Sequence, residues 1–230
     1  MATEERNELL ASICHDLRAP LAAVTMGANF VLQTTEDDDA HARERRVLSA
    51  MLRSCAQMER LIRNFADLSE IENGSMVLAI ANHEVAEMLA MVAEAARTKA
   101  NEKSIEIEER SASRGVVACD RDRVLRGLGQ LVDNALRAAP EGSTVTLRAS
   151  ERGDEVVFEV VDHGAGIAPQ LRQHLFDRRF LAKRTERVGG GFGLAIARGY
   201  AIAHRGRLEV EAGRDATTFT MVLPKAGPSA

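Results

Sequence analysis

The chain has 230 residues, 45% of them hydrophobic, which suits one or two globular domains with real cores and excludes a disordered protein. With 30 basic and 34 acidic residues the net charge is −4, so no overall field attracts nucleic acid or an anionic membrane. Three cysteines without a Cys-x-x-Cys pair argue against a disulfide framework and a zinc site. No apolar run approaches the roughly 18 residues of a membrane span. We therefore expect a cytoplasmic protein, or the cytoplasmic part of a membrane-anchored one if the sequence is a fragment.

The first predicted element is an amphipathic helix with a histidine on its polar face. At about 100° per residue, His15 lies opposite the apolar stripe, and Asp16 lies beside it. An exposed imidazole next to a carboxylate makes His15 a candidate phosphorylation site, although an ordinary solvated histidine is the simpler interpretation of this motif alone. The stripe recurs in steps of three and four and consists of Leu10, Ile13, Leu17, Leu21, Val24, Ala28 and Val31.

A second helical pattern follows a polar break at residues 34–39, whose acidic residues suit the first turn of that helix. It ends at Gly74, a good C-cap, and its apolar stripe is too wide for a single neighbouring helix. Two helices alone bury little surface. Residues 1–74 are therefore predicted to form a helical hairpin that dimerises into a four-helix bundle, with a monomeric hairpin packed on the second domain as the alternative.

Residues 75–226 have a mixed pattern that predicts an α+β sandwich, with a mostly antiparallel sheet covered by helices on one face, rather than a doubly wound sheet. Strands are predicted at residues 77–80, 105–109, 116–118, 144–150, 156–161, 207–211 and 217–223. Helices are predicted at residues 85–101, 121–138 and 192–204.

The helix at residues 121–138 presents Gln130, Asn134 and Arg137 on one face. An amide oxygen at Asn134 is a suitable ligand for Mg²⁺ with phosphates attached, and Arg137 can meet those phosphates. A solvated or back-bonding asparagine is the alternative.

Two glycine clusters suit a nucleotide, although each alone is also typical of an ordinary turn. Asp162 ends a strand and precedes Gly164 and Gly166, so a carboxylate suited to a purine amine is followed by glycines that permit close backbone approach. The second cluster opens a helix, where free amides and the helix dipole hold phosphate, and comprises Gly189, Gly191, Gly193 and Leu194. Between the clusters, the basic stretch at residues 178–187 predicts either a lid over a triphosphate or a solvated loop.

Taken in order, these motifs resemble those of the sensor histidine kinases of two-component signalling. Ile13–Leu21 resembles the H box and Leu128–Arg137 the N box, while Asp162–Ile167 and Gly189–Ala197 resemble the G1 and G2 boxes; Phe176–Phe180 is similar to a degenerate F box. The resemblance covers nearly all of the chain. It implies a dimerisation and phosphotransfer hairpin joined to an ATP-binding domain of the gyrase and Hsp90 type.

The resemblance also implies roles and partners. His15 would be the phospho-acceptor, Asp16 its general base, Asn134 the Mg²⁺ ligand and Asp162 the adenine contact. The implied protein is a homodimeric kinase core that uses ATP and Mg²⁺ and transfers phosphate from His15 to an aspartate of a response regulator.

Several residues depart from the family pattern. Ala19 replaces the usual Thr or Asn that orients water during dephosphorylation of the partner, so the expected phosphatase activity is weak. Gln130 replaces Asn, Arg137 replaces Lys, and Ala138 replaces an aromatic residue that packs on the nucleotide. In the F box, Arg179 stands where the second phenylalanine is expected.

Two other functions compete with the kinase. An ATPase of the same superfamily activates water with a glutamate where this chain has Gln130, and an amide cannot accept the proton. A catalytically silent dimeric adaptor would dock a receiver domain without transferring phosphate, but the motif residues of an active enzyme are intact.

Overall fold

The computed structural model describes residues 2–172, 174–176, 192–213 and 215–227. The chain divides between Ser75 and Met76 into two compact units, a helical hairpin and an α/β unit. Within the described ranges, no helix has the length and the apolar composition needed to cross a bilayer.

The hairpin consists of α1 (Ala2–Thr34) and α2 (Ala42–Asn73), and α1 continues through Pro20. The C-cap predicted at Gly74 is present: its φ is +62°, in the left-handed region that favours glycine, and its N–H donates to the carbonyl of Ile71.

The turn between the two helices differs from the expectation. His41 is the N-cap of α2, and the carboxylate of Asp38 accepts a hydrogen bond from the His41 N–H at 2.9 Å. The predicted acidic residues therefore lie in the turn itself rather than in the first helical turn, because Asp38 is engaged with backbone before the helix begins. Arg45 donates to the carbonyls of Leu32 and Thr35 and ties the end of α1 to α2.

The hairpin covers only part of its apolar surface. Cys14 and Leu21 from α1 and Cys55 and Ile62 from α2 form its buried core, with Phe65 packed half-buried against them. Other apolar residues of α1 and α2 stay exposed, among them Ile13, Leu17, Val24 and Val31 from the predicted stripe of α1 and Met51 and Met58 from α2.

The second unit contains a five-stranded sheet and a two-stranded one. Its strands are β1 (Ala81–Glu84), β2 (Glu106–Ser111), β3 (Val116–Cys119), β4 (Thr144–Arg152), β5 (Glu155–Asp162), β6 (Arg207–Ala212) and β7 (Thr217–Pro224). Within the described residues of this unit the helices are α3 (Val85–Asn101), α4 (Arg121–Ala138), α5 (Pro169–Arg172) and α6 (Gly193–Ala203). The large sheet has the order β2-β4-β5-β7-β6, antiparallel except for the parallel pair β2 and β4, and β1 pairs with β3.

The core lies between one face of the large sheet and helices α3, α4 and α6. Alternate residues of β5 such as Val156, Phe158 and Val160 point into this core, as the period of two in a strand requires. The predicted α+β sandwich is thus confirmed.

The strand predicted at residues 77–80 is wrong. These residues form no strand, Val77 is 85% exposed, and the short strand β1 follows at Ala81–Glu84. The reason is a competing side-chain partner: the backbone N–H of Ala79 donates to the carboxylate of Asp120 at 3.0 Å instead of joining a sheet.

Candidate nucleotide site and phospho-acceptor helix

Helix α4 is the scaffold of the candidate site. Asp120 caps its N-terminus by accepting from the N–H of Arg123, and residues such as Leu128 and Leu131 bury its apolar face against the sheet. This orientation leaves Asn134 half-buried and Arg137 exposed on the other side of the helix.

Asp162 and Gly164 lie at the C-terminal end of α4. Asp162 is 1% exposed, and its Oδ1 accepts from the N–H of Gly164 at 2.9 Å. Burial raises the pKa of the Asp162 carboxyl, and the hydrogen bond from Gly164 opposes that shift. A side chain on Gly164 would place its Cβ 2.5 Å from the carbonyl oxygen of Ala138, so only glycine permits this approach. Gly166 has φ +70°, again in the glycine region.

The middle of α4 contacts the start of α6. A Cβ built on Gly193 would overlap Oε1 of Gln130, so the two helices approach closely at this point. Leu194, predicted as a binding residue, buries its side chain in the core, which leaves only its backbone for a ligand.

The two contacts lie at different points along α4. Gln130 and Ala138 are eight residues apart, or about 12 Å at 1.5 Å per residue. Asn134 lies midway, one turn from each. The structure thus brings together Asp162, Gly164, Asn134 and Gly193 around one helix.

Some predicted site residues cannot be placed. Gly189, Gly191 and the basic stretch at residues 178–187 lie outside the described residues. Of the degenerate F box, Phe176 is described: it is half-buried against the core, and the guanidinium of Arg198 lies 5.6 Å from its ring centroid.

In the hairpin, His15 lies within α1, and its side chain is outside the described part of the structure. Asp16 and Ala19 are exposed, in agreement with a polar face of the helix at this point.

Two lysines outside the predicted site, one on α3 and one in the turn after it, contact α4. Lys99 pairs with Asp133 at 2.6 Å, next to Asn134, and Lys103 donates to the carbonyl of Leu136 near the end of α4. Basic residues at a helix C-terminus are a recognisable signal, since they satisfy free carbonyls, but the sequence does not show which helix they serve.

Two family models match the chain. Residues 5–74 match the His Kinase A (phospho-acceptor) domain, and residues 119–227 match the domain described as histidine kinase-, DNA gyrase B-, and HSP90-like ATPase.

Several known proteins are similar to this chain over nearly all of its length. The sensor protein KdpD of Clostridium acetobutylicum is 30% identical over 226 residues, which cover 96% of this chain and 25% of KdpD. The sensor-like histidine kinase SenX3 of Mycobacterium tuberculosis is 26% identical over 223 residues, covering 95% of this chain and 54% of SenX3. Among solved structures, full-length ShkA in complex with AMPPNP aligns with a TM-score of 0.78 and 28% identity, covering 97% of this chain and 47% of ShkA. The chain therefore spans about a quarter to a half of the length of these relatives.

Proposed function

Because the chain belongs to the sensor histidine kinases of two-component signalling, we propose that it is an ATP-dependent protein-histidine kinase core. It phosphorylates His15 and passes the phosphoryl group to an aspartate of a response regulator. The observation that supports this most is the presence, in one chain, of a phospho-acceptor hairpin and an ATPase-type unit whose buried Asp162 and glycine contacts surround helix α4.

The chemistry in the hairpin is assigned to two neighbouring residues. An imidazole of ordinary pKa, about 6.5, is mostly neutral near pH 7 and has a free nitrogen lone pair. Nε2 of His15 attacks the γ-phosphorus, a nitrogen–phosphorus bond forms, the bond to the β-γ bridging oxygen breaks, and ADP leaves. Asp16 holds or accepts the proton on the other ring nitrogen.

The base and sugar end of ATP is assigned to the C-terminal end of α4. The second carboxylate oxygen of Asp162 accepts from the exocyclic amine of adenine while Oδ1 remains bonded to Gly164. Gly164 and Gly166 allow the backbone to approach the base closely.

The phosphate end is assigned to the start of α6. The amides of Gly189, Gly191, Gly193 and Leu194 bind phosphate oxygens, and Arg137 adds positive charge. The donor set fits Mg²⁺: the half-buried amide oxygen of Asn134 supplies a hard oxygen ligand, and a magnesium ion normally completes its shell with substrate phosphates and water. The bound ion would neutralise charge on the transferring phosphoryl group.

Gln130 favours a protein acceptor over water. Its carboxamide lies against Gly193, at the place where a water-activating base of an ATPase would act. An amide does not take a proton near pH 7, so direct hydrolysis lacks its general base.

Homodimerisation completes the proposal. The apolar residues of α1 and α2 that the hairpin leaves exposed, Val24 and Met51 among them, form the interface between two hairpins in a four-helix bundle. A response-regulator receiver domain is the second partner.

Phosphatase activity is proposed to be weak. Ala19 is exposed one turn from His15 and offers no hydrogen-bonding group to orient water. We expect Ala19→Thr to raise the rate of phosphate release from a phosphorylated receiver domain. An unchanged rate in that variant would contradict the role given to position 19.

One assay separates the proposal from its competitors. With γ-labelled ATP and Mg²⁺, the kinase yields a protein-bound phosphoryl group that is labile in acid and stable in base, with one ADP per phosphoryl group. Sustained free phosphate without protein label would indicate an ATPase, and neither product would indicate a silent adaptor.

A further inference from the structure

A buried histidine outside the proposed site joins α6 to the rest of the second unit. His204 follows the last residue of α6 and is 1% exposed. Its Nδ1 lies 2.7 Å from the carbonyl oxygen of Tyr200, and its Nε2 lies 3.0 Å from the backbone nitrogen of Asp120. A carbonyl only accepts and a backbone N–H only donates, so the geometry requires a neutral imidazole with its proton on Nδ1.

Asp120 is the second half of this junction. Its Oδ1 accepts from the N–H of Arg123 at 3.1 Å and caps α4, while its Oδ2 accepts from the N–H of Ala79 at 3.0 Å. One residue thus links α4, the end of α6 and the segment that enters the second unit.

The junction lies at one end of an antiparallel pair of helices. Asp120 at the start of α4 contacts His204 at the end of α6, and Gln130 in the middle of α4 contacts Gly193 at the start of α6. Between them the helices approach closely: a Cβ on Gly127 would lie 3.3 Å from the ring of Tyr200 and 3.7 Å from Cα of Ala197. Because α6 is a rigid rod, fixing its last turn also fixes its first.

We propose that His204 and Asp120 are a positioning pair for the phosphate end of the nucleotide. The hydrogen bond between them holds α6 in register with α4, and this register sets where the amides at the start of α6 stand relative to Asn134. The inference rests on the proposed ATP-binding function. The base end, at Asp162 and Gly164, does not depend on α6 in this way.

Two substitutions separate the two bonds of the imidazole. In His204→Gln the carboxamide oxygen reaches the position of Nε2 and can accept from Asp120. In His204→Asn the carboxamide nitrogen stands near the position of Nδ1 and can donate to Tyr200, but nothing reaches Asp120. The two variants carry the same carboxamide group and differ in whether that group can accept from the N–H of Asp120.

The experiment measures affinities of the 230-residue chain for ADP with Mg²⁺ and for adenosine, which lacks the phosphates. We expect His204→Asn to weaken ADP binding about 3- to 10-fold, the range for one lost hydrogen bond, with adenosine affinity unchanged. His204→Gln should restore ADP binding to within about twofold of the unaltered chain.

Three results would overturn the inference: unchanged ADP affinity in His204→Asn, an equal loss of ADP and adenosine, or no rescue by His204→Gln. If His204→Asn lacks a cooperative unfolding transition, Gly127→Ala replaces it, since the added methyl would lie 3.3 Å from the Tyr200 ring of α6 and would push the same two helices apart. Gly127→Ala must then weaken ADP binding while leaving adenosine affinity unchanged. Failure of the unaltered chain to bind ADP would contradict the proposed function, and the inference with it.

Discussion

Burial shifts the pKa values of two ionisable side chains of the second unit in opposite directions. The Asp162 carboxyl has its pKa raised by burial, which disfavours the anion, and the Gly164 N–H partly offsets this. For His204 burial lowers the pKa, because the charged form is the cation. Asp120 and Arg123 also act on His204, the first raising and the second lowering its pKa.

The lowered pKa of His204 predicts acid sensitivity. Below the ordinary pKa of 6.5 the unfolded chain takes up a proton that the folded chain refuses, so the free energy of unfolding falls as the pH decreases. The slope from this one residue is at most about 1.4 kcal/mol per pH unit and vanishes well above pH 7. Urea unfolding at pH 7.5, 6.5 and 5.5 should show a steeper loss for the unaltered chain than for His204→Gln. Parallel losses would show that His204 is not the residue responsible.

Some contacts of single residues could be predicted from the sequence, and others could not. The close backbone approach at Gly164 could be predicted because a carboxylate followed by glycines after an apolar strand is a local pattern, whereas the adenine contact of Asp162 stays a prediction. The bonds of Asp120 could not be predicted, since Ala79 and His204 are 41 and 84 residues away along the chain. An N-cap aspartate is visible in the sequence, but its long-range partners depend on the tertiary fold.

At the scale of elements, α3 and α4 begin and end at the predicted residues, because strong apolar periodicity defines both helices and the Asp120 N-cap fixes the start of α4. The strand predicted at residues 77–80 failed because an apolar run indicates burial or pairing without saying which backbone group is the partner. The sequence indicated that the apolar stripe of α2 is too wide for one neighbouring helix. Since α1 and α2 leave part of their apolar surface exposed, dimerisation remains a prediction.

Substitutions at the two glycines that contact α4 should differ in cost. Gly164→Ala places a methyl against the carbonyl of Ala138, and backbone cannot yield easily, so we expect a loss of about 1–3 kcal/mol in the free energy of unfolding. Gly193→Ala meets the far end of the flexible Gln130 side chain, which can rotate away, so its cost should be smaller. Urea unfolding of both variants checks the order, and equal losses would contradict the close approach at Gly164.

The dimer interface is best tested on residues that the hairpin leaves exposed. Val24→Glu places a charge on the apolar stripe and should dissociate the dimer, because an unpaired charge is costly in a bundle core. Val24 is 49% exposed and Phe65 is half-buried against the hairpin's own core, so Val24 is the cleaner site.

Met26→Glu is the matched control for Val24→Glu. Met26 is 70% exposed and, at about 100° per residue, lies nearly opposite Val24 on α1. Light scattering should give a dimer mass for the unaltered chain and Met26→Glu and a monomer mass for Val24→Glu. A monomer mass for the unaltered chain would rule out the bundle.

At the scale of the whole molecule, the proposed function gives the two units different halves of one reaction. Residues 5–74 match the phospho-acceptor model and residues 119–227 the ATPase model, while α3 and β1–β2 lie between the matched segments and complete the second unit. The order of the motifs along the sequence was sufficient to predict this combination. The relative placement of the units during phosphoryl transfer has no local signature in the sequence.

The central claim is that the nucleotide site of the second unit phosphorylates His15 of the first. The most direct measurement is to incubate the chain with ATP and Mg²⁺, digest it under alkaline conditions and locate the phosphoryl group by mass spectrometry. We predict one modified residue, His15, with the label lost in His15→Gln and in Asn134→Ala but retained in Asn101→Ala, which removes an exposed amide at the end of α3. A label on another residue, or one that persists in His15→Gln, would contradict the account.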